Sequence, residues 1–242
     1  MISRILLLLL LISTVTFSQF EPNPELEWFT IETDHFYIHY HKGTERTAKL
    51  TAKIAEEIYG PITSLYKYAP EDKTSWIIND ESDISNGATD YYGNRIEIAS
   101  ASLDFDLRGT HNWLRNVITH EYTHVRQVQA SMKFSTKFPS LYIQFLNYEK
   151  ERRPDVLYGY PNTIISYPIS GVGVPAWFAE GTAQYQRQQL GYDYWDAHRD
   201  MILRMRVLGD KMLSWEDMGQ FASVTTYKAE SIYNSGFALS RY

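Results

Sequence analysis

Two different hydrophobic periods follow one another in the first third of the chain. Residues 27–41 alternate large apolar or aromatic side chains with polar ones on both sides of a break at Thr33 and Asp34, and this period of two predicts two short paired strands. From Thr44 the apolar residues recur every three or four positions, which predicts an amphipathic helix that is kinked or interrupted at Gly60 and Pro61. The apolar face of this helix consists of Leu50, Ile54, Ile58, Ile62 and Leu65.

Short apolar runs in the next part of the chain predict further strands around a turn-rich segment. Residues 76–78 and 95–98 are candidates for buried strands. Between them, residues 85–94 are rich in glycine, asparagine and aspartate, which predicts turns and an edge strand from Asn86 to Thr89. A helix is expected over residues 110–129, because its apolar residues form one stripe that neither proline nor glycine interrupts.

The second half of the chain predicts mainly helices. Residues 131–174 are irregular, aromatic and glycine-containing, and they predict no single structure. Pro175 opens a helix that Gly191 closes, since proline suits the first helical position and glycine the end. A further helix over residues 194–208 carries Met201, Ile202, Met205 and Leu208 on one face. A last helix starts near Ser231 and the sequence stops without a residue that caps its C-terminal end, so we expect the chain to be the front part of a longer protein.

The N-terminus has the pattern of a secretory signal. Arg4 precedes an apolar run over residues 5–12, and small and polar residues follow up to Gln19. The run is shorter than the about 20 residues that span a bilayer, and no later segment predicts a transmembrane helix. We therefore expect a signal peptide over residues 1–19, a single domain over residues 20–242, and an exported protein in the periplasm or outside the cell.

Composition narrows the classes of protein further. The chain has no cysteine, so an exported domain of this kind is held by its core, or partly by a metal, without disulfides. The absence of cysteine also excludes a lipid anchor of the lipoprotein type. A net charge of −6 argues against nucleic acid as a partner.

Residues 120–124, His-Glu-Tyr-Thr-His, contain two of the seven histidines of the chain. On a helix, residues four apart lie on the same face, so the imidazoles of His120 and His124 can converge on one metal ion. Glu121 faces the same cavity from the side, where it is placed to take a proton from a metal-bound water. Chance alone produces this pattern in about one of a hundred chains of such composition, so the motif needs a third ligand for support.

Glu180 is the candidate for that third ligand. No third histidine follows at the spacing of the metzincins, whereas the predicted helix after Pro175 holds Glu180 in the middle of an apolar face. A buried carboxylate is costly unless it is paired or bound to a cation. The small residues Ala179, Gly181 and Ala183 would let this helix approach the first one closely. The apolar neighbours expected to be buried are Trp177, Phe178, Ala179 and Ala183.

The motif at residues 120–124 and the later Trp-x-x-Glu-Gly of residues 177–181 resemble the peptidase MA-like family of gluzincin-type zinc metallopeptidases. The resemblance covers nearly the whole mature chain, including residues 32–40, 86–100, 112–127, 201–218 and 233–242. It implies a zincin-like α+β fold, with a small mixed sheet followed by the motif helix and a mainly helical C-terminal half. Family members are often followed by a TolB-like β-propeller, which would account for the uncapped end.

The resemblance also implies roles for individual residues. Zn²⁺ would be held by His120, His124 and Glu180, with Glu121 as the general base. Tyr233, with His198 behind it, is the candidate donor to the oxyanion of the transition state. Gln184 departs from the pattern, because thermolysin-like enzymes have an aspartate there that steadies a ligand histidine.

Two functions therefore remain as expectations. The first is an exported zinc metallopeptidase that cleaves peptides or proteins, with an extended substrate pairing along the edge strand from Asn86 to Thr89. The second is a non-catalytic zinc-binding or scaffold module of a larger cell-envelope protein. Glu121 favours the first, because a binding module has no need of a base beside its metal ligand.

Overall fold

The computed structural model describes residues 25–80, 85–91, 93–100, 112–132, 140–145, 163–168, 174–190, 197–219, 221 and 225–241. The predicted signal peptide, residues 1–19, lies outside these ranges. No helix in the described ranges combines the length and the apolar character that crossing a membrane requires.

A five-stranded mixed sheet forms the first half of the fold. Its strands are β1 (Trp28–Glu32), β2 (Phe36–His41), β3 (Thr74–Asn79), β4 (Gly87–Asp90) and β5 (Arg95–Ala99), in the spatial order β1-β2-β3-β5-β4. The central pairs β2–β3 and β3–β5 are parallel, and the outer pairs β1–β2 and β4–β5 are antiparallel. The paired strands around Thr33, the two buried strands and the edge strand predicted from the sequence are thereby confirmed.

The core lies between this sheet and two long helices, α1 (Glu45–Tyr66) and α2 (Trp113–Met132). α1 connects the parallel strands β2 and β3, and it continues through Pro61 without interruption. Alternate residues of β2, β3 and β5 are almost completely buried in this core, as the period of two requires. The strands contribute Phe36, Ile38, Trp76, Ile78, Ile96 and Ile98 to the core.

The second half adds four helices and a hairpin. The helices are α3 (Ala176–Gln189), α4 (Ala197–Leu208), α5 (Trp215–Met218) and α6 (Thr226–Ser240), and the hairpin pairs β6 (Ser140–Phe145) with β7 (Thr163–Pro168). The hairpin falls in the segment for which the sequence predicted no single structure. α6 begins five residues before Ser231, where the Thr225 hydroxyl accepts a hydrogen bond from the backbone N–H of Lys228. The fold is thus α+β.

α3 and α6 cross at two glycines. A Cβ atom on Gly181 would overlap the backbone carbonyl of Gly236, and one on Gly236 would overlap the carbonyl oxygen of Trp177. Gly181 was expected to let α3 approach α2, but the close approach that needs it is with α6. The expectation that Phe178 is buried is also wrong, because its side chain is 43% exposed.

The apolar face predicted for α4 is only partly covered. Met205 and Leu208 are 66% and 87% exposed, although the helix itself ends at Leu208 as expected. The described residues around α4 therefore leave part of its apolar face, including Met205 and Leu208, exposed.

Candidate metal centre

α2 contacts α1, α3 and β4, and two of its faces have different surroundings. One face is an apolar stripe that enters the core, formed by Trp113, Val117, Ile118, Tyr122 and Val125. The face towards α3 carries His120 and His124, whose rings stand nearly perpendicular with centroids 4.6 Å apart. Because the stripe fixes the rotation of the helix, the two histidines must face α3.

Glu180 meets both histidines from α3. Its Oε2 atom lies 2.8 Å from Nε2 of His120 and 3.2 Å from Nε2 of His124. The two Nε2 atoms are 2.9 Å from each other. The side chains of the three residues are only 7%, 12% and 12% exposed, for His120, His124 and Glu180 respectively. The third ligand expected from the sequence is therefore brought to the two histidines.

Hydrogen bonds alone cannot account for all three contacts between the two Nε2 atoms and Oε2 of Glu180. A neutral imidazole nitrogen either donates or accepts, and an ionised carboxylate only accepts. If both Nε2 atoms donate to Glu180, their mutual contact has two donors and no acceptor. If one Nε2 atom accepts from the other, it has no proton for Glu180. A cation bound to all three atoms would remove this conflict.

The donor set suits zinc in spacing and type. Zinc is bound by neutral imidazole and carboxylate at about 2.0–2.2 Å, and tetrahedral geometry then separates the ligand atoms by about 3.3 Å. The observed separations of 2.8, 2.9 and 3.2 Å need to widen only slightly. Within the described ranges, these three residues form the one group with the composition and spacing of a metal site.

Glu180 is held in the ionised form that a ligand needs. Burial by itself would raise the pKa of its carboxyl, but the two imidazoles against it, that of His124 foremost, outweigh burial and bring the pKa well below its usual range. The carboxylate can therefore bind a cation without first losing a proton.

Glu121 is buried beside these three residues but belongs to a different set of contacts. The Thr89 hydroxyl on β4 donates a 2.7 Å hydrogen bond to its Oε2 atom. Gly87, on the same strand face, has no side chain to displace it: a Cβ there would lie 2.8 Å from both Cγ and Oε1 of Glu121. No contact of Thr89 or Gly87 with Glu121 was expected from the sequence. Their position two apart on the predicted edge strand was the signal that they share a face.

A cavity of about 310 Å³ opens in front of these residues. Its polar lining consists of Thr89, His120, Glu121, His124, Glu180 and Tyr233. Its apolar lining includes Val128, Val174, Ala176, Ala179 and Phe221. Val128 lies one helical turn beyond His124 and Ala179 directly precedes Glu180, so apolar residues adjoin the candidate ligands. The apolar lining was not foreseen, because Phe221 and Val174 come from segments with no clear pattern.

The remaining predicted residues have separate positions. The ring of Tyr233 on α6 lies 5.9 Å from that of His120, centroid to centroid, and lines the cavity. His198, expected behind Tyr233, is exposed in the first turn of α4 and does not line the cavity. Gln184 is buried, and its Oε1 atom accepts a 3.5 Å hydrogen bond from Arg199. The role of Tyr233 as an oxyanion donor stays a prediction.

Comparison with known proteins adds no identification. No family model matches the sequence, and no curated protein matches it.

Proposed function

We propose that this chain is a zinc metallopeptidase domain of the zincin-like, gluzincin type, which hydrolyses peptide bonds. The observation that carries the proposal is that three candidate ligands and one separate carboxylate lie around the same cavity. His120, His124 and Glu180 converge within 3.2 Å of one another, while Glu121 is buried beside them and held by Thr89 instead. Three ligands and a separate carboxylate as base are the set that metalloproteases with this helical motif use.

The three ligand residues would hold zinc, which supplies a Lewis acid that polarises the substrate carbonyl and lowers the pKa of a water. Glu121 accepts a proton from the attacking water as the new C–O bond forms. It returns this proton to the leaving nitrogen as the C–N bond breaks, so no other proton source is required. The Tyr233 hydroxyl is the candidate donor to the oxygen on which negative charge develops.

Substrate would bind along β4 and into the cavity. β4 is the last strand of the described sheet and pairs with β5 on one side. An extended peptide can add to such an edge by backbone hydrogen bonds. Ala88, at the cavity, lies in the middle of this strand. The apolar residues that line the cavity, Val128 among them, would then contact a substrate side chain next to the scissile bond. Residues 1–19 would direct export, as their pattern predicts.

The test combines zinc analysis with a peptidase assay on the full chain. We expect about one zinc per chain and cleavage of unstructured peptides by the parent. Glu121→Gln should keep the zinc and lose turnover. His124→Ala and Glu180→Ala should lose both. Glu27→Gln and His198→Ala change exposed residues, and as matched controls both should behave as the parent does.

The results separate the two functions. Zinc in the parent without cleavage of any peptide in a mixed library would refute the peptidase and leave a zinc-binding module. A parent that binds no zinc would refute both. Retention of zinc by Glu180→Ala would show that the third ligand is another residue.

A further inference from the structure

Two residues of β4, Gly87 and Thr89, face Glu121 on α2. Side chains alternate along a strand, so Gly87 and Thr89 lie on one face. The Thr89 hydroxyl is 2.7 Å from Oε2 of Glu121 and 3.1 Å from the backbone oxygen of the same residue. Its single proton favours the charged carboxylate, since hydrogen bonds to ionised groups are shorter and stronger. At Gly87, any side chain would displace Glu121 or Val117.

The strand that makes these contacts is held along one edge and at its C-terminal end. In the antiparallel ladder, Gly87 and Thr89 lie opposite Ile98 and Ile96, both of which are buried in the core. Just beyond β4, the side-chain amide of Gln129 on α2 donates a 3.0 Å hydrogen bond to the backbone oxygen of Tyr91. β4 is therefore fixed relative to α2 before substrate arrives.

We propose that Thr89 is a positioning residue for the general base, and that Gly87 provides the space this arrangement requires. The hydrogen bond from Thr89 to Oε2 fixes the orientation of the Glu121 carboxylate. Because β4 is also the edge on which substrate is proposed to pair, one strand would orient both the base and the peptide. This inference rests on the proposed peptidase function.

The test compares two substitutions at one position. Thr89→Val keeps the shape and removes the hydroxyl, and Thr89→Ser keeps the hydroxyl. A hydrogen bond to a charged group is worth a factor of about 10–100 in rate, so we expect Thr89→Val to lower kcat by that factor with KM and zinc content unchanged. Thr89→Ser should retain kcat within about threefold. Thr30→Val on β1, whose hydroxyl contacts His39, is the matched control and should leave kcat unchanged.

A second readout does not depend on activity. In metal-free protein, Thr89→Val should lower Tm in the parent, and should lower it less in a Glu121→Ala background, because the carboxylate partner is gone and only the backbone oxygen of residue 121 remains. Gly87→Ala should lower kcat as Thr89→Val does.

Three results would overturn the proposal: unchanged kcat in Thr89→Val, equal losses in Thr89→Val and Thr89→Ser, or additive shifts in Tm. Loss of zinc from Thr89→Val would also overturn it, since the residue would then support the ligands. A parent that binds zinc but cleaves nothing refutes the peptidase function instead, and the Tm comparison still reports on the contact.

Discussion

The crossing of α3 and α6 predicts that Gly181→Ala damages both stability and metal binding. An added Cβ would lie 2.7 Å from the Cα atom of Gly236 and closer still to its carbonyl. Carbon atoms pack best at about 3.5–4.0 Å, so the two helices would have to separate by about 1 Å. Such overpacking costs about 1–3 kcal/mol, which corresponds to a fall in Tm of about 2–12 °C for a chain of this size.

The same displacement reaches the metal centre, because Glu180 precedes Gly181 on α3. Its Oε2 atom now lies 2.8 and 3.2 Å from the two Nε2 atoms, and metal ligands tolerate deviations of only about 0.2 Å. Zinc affinity should therefore fall together with Tm. Thermal unfolding with and without a chelator measures the first effect, and zinc titration of the metal-free protein measures the second.

Gly60→Ala is the matched control for this substitution. Gly60 also lies inside a helix, but a Cβ there would meet nothing within 4 Å. Alanine suits a helix better than glycine by about 0.5–1 kcal/mol, but a Cβ on the residue before Pro61 crowds the proline ring in a helical backbone, so we expect no large change in Tm and no change in zinc affinity. If Gly181→Ala matches the parent in Tm and zinc affinity, the helices do not cross at these glycines and the reasoning fails.

Three further predictions concern Glu56, Asn94 and Tyr233. Burial alone would raise the pKa of Glu56, but hydrogen bonds from Thr33 and His35 outweigh burial and lower the pKa below its usual value. The ionised Glu56 carboxylate therefore stabilises the fold above the usual pKa of a glutamate, and this stabilisation is lost as the pH falls. Glu56→Gln should be less stable at pH 7 by about 1 kcal/mol, and denaturant melts should show this difference vanishing at low pH; a constant difference would contradict the assignment. Asn94 has a φ of 49°, and its side chain forms hydrogen bonds with Thr74, Gln129 and the backbone of residues 72 and 73. Asn94→Ala should therefore lower the free energy of unfolding by about 2–3 kcal/mol. Asn94→Gly should lose less, because glycine adopts this φ without strain, and equal losses in the two variants would exclude backbone strain. Tyr233→Phe should lower kcat by about 100-fold or more with zinc retained, and an unchanged kcat would exclude the tyrosine as oxyanion donor.

Local patterns were sufficient for the parts of the fold that a single segment specifies. Alternation around Thr33 predicted β1 and β2, and the apolar stripe of residues 113–125 predicted α2, on which His120 and His124 share one face. Glu180 could be found because a carboxylate on an apolar helix face is costly without a cation. Each of these inferences needed only residues within a few turns of one another.

The parts that failed depend on distant residues. Thr89 and Glu121 are 32 positions apart, and only the strand order, with β4 beside β5 and next to α2, brings them together. Gly181 was matched to the wrong helix because nothing local indicates that its partner is Gly236. Phe178 is exposed, although its neighbour Trp177 packs edge-on against Trp215. The helical period alone does not determine which of two adjacent aromatic residues is buried.

The shortness of β4 has a consequence for solubility. An open strand edge offers unpaired backbone groups to any extended chain, including another copy of the same protein, and such edges are common starting points for aggregation. β4 has four residues, so its edge measures only about 13 Å, and it ends at Asp90, which is paired with Arg95. That length accommodates the few backbone hydrogen bonds of a short peptide, but offers too little edge to nucleate a sheet between molecules.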